Sequence, residues 1–238
     1  MKKMNAKTHG SHSPEVRITA RRVAIFAMVL LAAVVVAALG FICNRHRLER
    51  RAIVRFRELN ADIGMTAAAP PWLARVLQAC RLPLPRSIGG INDVDPEFCD
   101  GDLALLRNCT RIGNLDLDRT GVSDAGLPYL KHLTRLYILE LGQTSVTDAG
   151  LVHLRTLPEL RLLKLSGTAV TDAGLASLVP IRSLTWLILD DTRVTDEGLA
   201  HLAALPELER LDIKGTAVTP DGIASLKQAL PDIEVHGP

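Results

Sequence analysis

The chain has 238 residues, of which 47% are hydrophobic and 3% aromatic, and its 28 Lys/Arg against 26 Asp/Glu leave a net charge of +2. That total hides two parts of opposite sign: residues 1–58 carry 12 Lys/Arg against 3 Glu, whereas residues 59–238 carry 16 against 23 Asp/Glu. An acidic body repels a phosphate backbone, which excludes nucleic acid as a partner, and a basic leading end suits a segment beside a membrane.

Residues 1–22 are rich in Lys, Arg, His, Ser and Thr and read as a basic disordered tail. Val23–Cys43 follows with 21 residues and no charge. At about 1.5 Å per residue such a helix crosses the ~30 Å hydrocarbon core, so residues 23–43 are predicted to be a transmembrane helix. A cleaved signal peptide is the alternative, but the apolar run exceeds a usual h-region and no A-x-A site follows it. Gly40-Phe41-Ile42 lacks the small residue that a lipoprotein site wants immediately before Cys43. Six Lys/Arg precede the span and six lie within Arg45–Arg57, so the flanking charge does not set the orientation. Short cationic tails commonly stay in the cytoplasm. The expectation is a single-pass membrane protein with a cytoplasmic N-terminus and its body outside the cytosol.

Residues 44–64 place Leu48, Ala52, Phe56, Leu59 and Ile63 in one helical stripe on a charged segment. They are predicted to form a charged stalk helix, either solvated or pairing as a short coiled coil that would make a homo-oligomer. Residues 65–102 read as a linker and N-terminal cap. Pro70-Pro71 breaks the chain, Trp72–Cys80 suits a short amphipathic helix, and Pro83 and Pro85 break it again. Ile88–Asp102 then resembles a degenerate first repeat, with Ile91, Phe98 and Asp100 one period ahead of Leu115, Val122 and Asp124.

From Leu103 the sequence repeats every 24 residues. Leu127–Gly150, Leu151–Gly174, Leu175–Gly198 and Leu199–Gly222 follow L-x-x-L-x-x-L-x-x-L-x-x-L-x-L-x-x-T-x-V-T-D-x-G, with Ile181 and Ile213 in leucine slots and Pro220 in the last aspartate slot. Leu103–Gly126 follows it with Cys109 and Ile112 in leucine slots and Ser123 for the second threonine. This is the signature of a leucine-rich-repeat solenoid: an α/β fold with a curved parallel sheet and outer helices, here residues 103–238 including a C-terminal capping strand. The x-L-x-L-x segment alternates as a strand with one buried face, and the L-x-x-L-x-x-L run suits a short α or 3₁₀ helix. In T-x-V-T-D-x-G, Thr147 and Asp148 are placed to cap the helix, the glycine sits where a side chain would crowd the next turn, and the column Thr120, Thr144, Thr168, Thr192, Thr216 is placed to bond loop backbone.

The LxLxxTxVTDxG template is similar to the cysteine-containing leucine-rich repeats of F-box substrate receptors, with Thr where those carry Cys or Asn. The whole layout resembles membrane-anchored bacterial leucine-rich-repeat proteins of the planctomycete type: a basic tail, one span, a charged helix such as Arg51–Leu59, a Pro71-Trp72-Leu73 segment, then T-x-V-T-D-A-G-L copies. The resemblance covers residues 21–238 and implies fold and anchoring, with no defined activity. No F-box-like segment is recognisable.

In solenoids the concave strand face is the usual contact surface. Strand parity places Ile138, Glu140, Leu162, Lys164, Trp186, Ile188, Asp190, Arg210 and Asp212 there, with Ile138, Leu162, Trp186 and Ile188 as apolar neighbours rimmed by charge. That pattern points to an unknown protein partner or envelope component. No catalytic, metal or cofactor pattern appears: His153 and His201 stand two repeats apart, too far for one ion, and there is no phosphate loop or nucleophile elbow. The expectation is a protein that is not an enzyme and carries no cofactor. Cys109 falls in a core slot, which leaves Cys80 and Cys99 as a possible disulfide.

Overall fold

The computed structural model describes residue 49 and residues 51–59, 61–67, 86–92 and 94–237. The predicted span at residues 23–43 and the predicted helix at Trp72–Cys80 lie outside them, as does Cys80. Among the described residues no helix is long and apolar enough to cross a membrane.

Eight strands form one sheet in sequence order: β1 (Asp62–Ala67), β2 (Arg86–Asn92), β3 (Asn114–Asp116), β4 (Ile138–Glu140), β5 (Leu162–Lys164), β6 (Trp186–Ile188), β7 (Arg210–Asp212) and β8 (Glu234–His236). From β2 onward every pairing is parallel. Each residue from β3 to β7 faces its counterpart 24 positions later, as Leu139 faces Leu163 and Leu163 faces Leu187. The x-L-x-L-x alternation explains this. Leu115, Leu117, Leu139, Leu141, Leu163, Leu165, Leu187, Leu189, Leu211 and Ile213 are all fully buried. Short helices close each coil behind them, mixing α and 3₁₀ turns, as in Asp148–Leu151 followed by Val152–Thr156. Leucines such as Leu151, Leu154, Leu157 and Leu160 meet the sheet from the other side in the same core. Burial of each such side chain contributes about 1.5–3 kcal/mol, and one coil alone could not cover its own.

The T-x-V-T-D-x-G loops do more than cap helices. Thr147 accepts from the Ala149 N–H at its own helix start, as predicted. Asp148, predicted to share that role, instead reaches into the following repeat. Thr171 donates its backbone N–H to Asp148 Oδ1 at 2.8 Å and its hydroxyl to Oδ2 at 2.6 Å. The same pair of bonds joins Asp100 to Ser123, Asp124 to Thr147, Asp172 to Thr195 and Asp196 to Thr219. These two bonds per junction hold Asp196 below the ordinary carboxylate range, chiefly through the Thr219 hydroxyl. The recurring glycine makes room for this ladder: a Cβ on Gly174 would collide with Asp148 Oδ1, and one on Gly150 with Asp124 Oδ1. The first threonine column is internal to each loop, each hydroxyl donating to the carbonyl three residues earlier, for example Thr168 to Leu165 at 2.6 Å.

The N-terminal cap differs from expectation. Residues 44–64 are not one helix: the helix at residues 51–58 ends at Leu59, and Asp62–Ala67 is a strand antiparallel to β2. Two demands of an open stack end explain the change. Ala52, Phe56 and Leu59 cover the exposed core, with Phe56 stacked on Phe98 at 5.5 Å, and β1 pairs the sheet edge that β2 would otherwise leave bare. The stripe predicted to serve a free or dimerising stalk is therefore spent inside the repeat core. Arg55 locks the helix down by donating to Asp102 at 2.9 Å. Burial pushes the Asp102 carboxyl up, but Arg55 and the Cys99 N–H outweigh it and hold it below its ordinary value. Cys99 carries a free thiol, 3.6 Å from Asp102 Oδ2, and Cys109 is a buried thiol as its leucine slot implied. At the other end Pro220–Ala229 and β8 complete the stack, β8 being the predicted C-terminal capping strand.

The ladder gives a direct test. Gly174→Ala destabilises by about 1–3 kcal/mol when Asp148 is present, because something must shift to admit the methyl. In an Asp148→Ala background the same change costs less than half as much, read from urea-unfolding midpoints as a double-mutant cycle. Equal costs in both backgrounds would show that the carboxylate is not what excludes a side chain.

Candidate functional site: the open face of the sheet

The sheet face turned away from the leucine core presents side chains in register. One row runs Asn114, Ile138, Leu162, Trp186, Arg210, Glu234, each paired with the next across the strands. A second runs Asp116, Glu140, Lys164, Ile188, Asp212, His236. All nine residues predicted for a contact face lie on it or directly after it, and all are half-buried. Ile138, Leu162 and Trp186 are direct neighbours in one row, and Ile188 lies beside them in the other.

The charges around this apolar row are organised in two groups. At the β6–β8 end, the Trp186 indole N–H donates to Asp212 at 2.5 Å, and the Arg210 guanidinium sits 4.7 Å from the indole ring centroid. Arg210 also donates to Glu234 at 3.1 Å. The indole is thus fixed at both its edge and its face. A cleft lined by Thr185, Trp186, Glu209, Arg210, Asp232 and Glu234 opens beside it. Asp190 accepts from the Lys214 backbone N–H at 2.8 Å and serves the loop.

At the β3–β5 end, the carboxylates of Asp116, Asp118 and Glu140 lie within 4.8 Å of one another. Lys164 inserts its ammonium among them, bonded to Asp118 and 3.4 Å from Glu140. Burial pulls the Lys164 ammonium down, yet the Asp118 hydrogen bond and the two carboxylate charges outweigh it and raise it. Glu140 is pushed above the ordinary carboxylate range, first by burial and then by the charge of Asp116. This is the group of described residues with metal-like ligand spacing, and Lys164 offsets part of its negative charge, at Asp118 and Glu140.

Strand parity also turns Asp118 outward, but its bridging role was not read from the sequence. Asp118 accepts from the Gly142 N–H at 2.6 Å as well as from Lys164, so it joins three repeats. The column Asp116, Glu140, Lys164 shows acids stacked against a lysine, whereas Asp118 heads a different column, followed by Gly142 and Ser166. The Glu209, Asp232 and Glu234 side of the cleft had no such signal, since Asp232 and Glu234 belong to the atypical last coil.

No protein-family model matches this chain, and no curated protein matches it. Among solved structures it is similar to an internalin (inlF) of Listeria monocytogenes, at 22% identity and a TM-score of 0.47, over 56% of this chain and 36% of that one. It is similar to an internalin C2 of the same organism at 26% identity and a TM-score of 0.48, over 57% of this chain and 55% of that one. The chain thus covers less than two thirds of the length of either. Both scores are below 0.5, so the fold rests on the strand register itself. That register, with leucines sealing one strand face and short helices behind it, defines a leucine-rich-repeat fold.

The lysine yields a pH prediction. Lys164→Met leaves three carboxylates facing one another and raises Glu140 further. A carboxyl with a folded value above its unfolded one binds more protons when folded, so native stability is lost as pH rises through that range. The variant is therefore less stable than the parent near neutral pH, and the gap narrows on acidification toward about pH 5. Denaturation midpoints at both pH values check this, and an unchanged gap would contradict it.

Proposed function

We infer that this chain is a non-enzymatic, membrane-anchored interaction module that binds a protein or envelope component through the open face of its leucine-rich repeats. One observation carries the reading. Ile138, Leu162 and Trp186 stand side by side, half exposed, on a sheet whose register is fixed at every step, with Ile188 adjoining them. A contiguous apolar row with an oriented indole and a charged rim has the composition of a binding hot spot. Trp186 is held in place before any partner arrives, which lowers the cost of ordering it on binding. The uncharged stretch at residues 23–43 supports a single span, and the short cationic tail before it favours a cytoplasmic N-terminus with the repeats on the other side.

One experiment tests contact and placement together. A photo-crosslinking amino acid at position 162 of the full chain, expressed in its native cells, forms an adduct with the partner. Trp186→Ala abolishes the adduct while leaving the thermal midpoint close to the parent's. Protease added outside intact cells, or outside spheroplasts where an outer barrier exists, digests the adduct. Adduct yield indifferent to Trp186→Ala would remove the contact face, and full protection of a formed adduct would place the repeats in the cytosol.

A further inference from the structure

The charge on the open face narrows what can sit on it. Two of the cations on this face are already held by its own acids: Lys164 lies among Asp118 and Glu140, and Arg210 pairs with Glu234 over the Trp186 ring. Among the described residues, Asp116 and Asp212 receive only neutral donors, the Asp118 backbone N–H at 3.0 Å and the Trp186 indole N–H at 2.5 Å. Neutral donors orient a carboxylate without cancelling its charge. The apolar row on β4, β5 and β6 ends on Asn114 and Arg210, and the row beside it ends on an under-neutralised acid at each side, Asp116 on β3 and Asp212 on β7.

We propose that the open face takes a short cationic stretch of polypeptide, with aliphatic residues over Ile138, Leu162 and Trp186 and a basic residue at each end reaching across to Asp116 and Asp212 in the adjacent row. This occupant presupposes that the open face is a binding surface, as inferred under the proposed function. The spacing comes from the sheet. Four strand steps at about 4.8 Å separate β3 from β7, or roughly 19 Å, and an extended chain at about 3.3 Å per residue covers that in six residues. A polyanion is disfavoured by the same acids, so a phosphate backbone or an anionic lipid headgroup would meet repulsion here. Basic side chains also suit the occupant because their long apolar stems can lie along the row while the charged ends reach the flanking carboxylates.

The probe is a fluorescein-labelled, end-capped peptide of sequence Lys-Ser-Ile-Ser-Leu-Ser-Lys, whose lysines and aliphatic residues share one face of an extended chain, with a Glu-ended version of the same core as its counterpart. Each is titrated against the full chain in phosphatidylcholine nanodiscs and followed by fluorescence anisotropy. The Lys-ended peptide binds, the Glu-ended one binds at least about tenfold more weakly, and added salt weakens the first as two exposed ion pairs require. Asp116→Asn together with Asp212→Asn keeps both hydrogen-bond acceptors, removes both charges, and erases most of the preference. An unchanged near-ultraviolet circular dichroism spectrum certifies that the double variant is folded. Equal binding of the two peptides, binding of neither, or a preference that survives the double variant overturns the proposal. If the Trp186-dependent adduct at position 162 still forms in cells under any of those outcomes, the interaction reading stands and only the cationic assignment falls. If the adduct is also missing, both fall.

Discussion

Each repeat of this chain is bolted to the next by one aspartate that leaves its own coil. Two donors of the following repeat, a backbone N–H and a hydroxyl, converge on that carboxylate at 2.6–2.8 Å, and the arrangement recurs at five junctions from Asp100 to Thr219. Leucine burial supplies the larger share of the free energy, but it is non-directional and would tolerate small slips between coils. The carboxylate does not. With a glycine required opposite it, the aspartate fixes how one loop seats on the next, and that seating fixes the strand pairing at 24-residue intervals.

The open face inherits its order from that register. Because Ile138, Leu162 and Trp186 occupy equivalent positions in successive coils, they meet as direct cross-strand neighbours without any loop having to position them. The same geometry brings acids from β3 and β4 onto Lys164 of β5, and sets Arg210 of β7 over the indole of β6. Function in such a scaffold is a matter of which side chains fill slots that the core leaves free. The slots themselves are set by the leucines of the core and by the threonines, aspartates and glycines of the T-x-V-T-D-x-G loops.

Much of this was legible in the amino-acid sequence, for identifiable reasons. Strand parity separated the inward leucines from the outward face because a period of two admits only one assignment once the leucines must be buried. The core place of Cys109 and the degenerate repeat around Ile91 came from alignment to the template. The reach of Asp148 did not, because a helix-cap position explains an aspartate just as well, and only the seating of adjacent loops tells the two roles apart. The cap was misread for a similar reason. Ala52, Phe56 and Leu59 have the spacing of any amphipathic helix, and spacing is silent about which surface the stripe will cover. The antiparallel β1 had no visible signal, since Asp62–Ala67 has neither alternation nor β-branched enrichment beyond Ile63 and Thr66.

Amide hydrogen exchange on the full chain tests the central claim most directly. The backbone N–H groups of Thr147, Thr171, Thr195 and Thr219 sit in solvent-facing loops, yet each donates to the preceding repeat's aspartate. If those carboxylates bolt the coils together, these four amides exchange as slowly as those of Leu141, Leu165 and Leu189, which follow β4, β5 and β6 and donate to the next repeat's backbone. Exchange at the rate of unprotected loop amides would mean that the junctions open freely and that leucine packing alone sets the register.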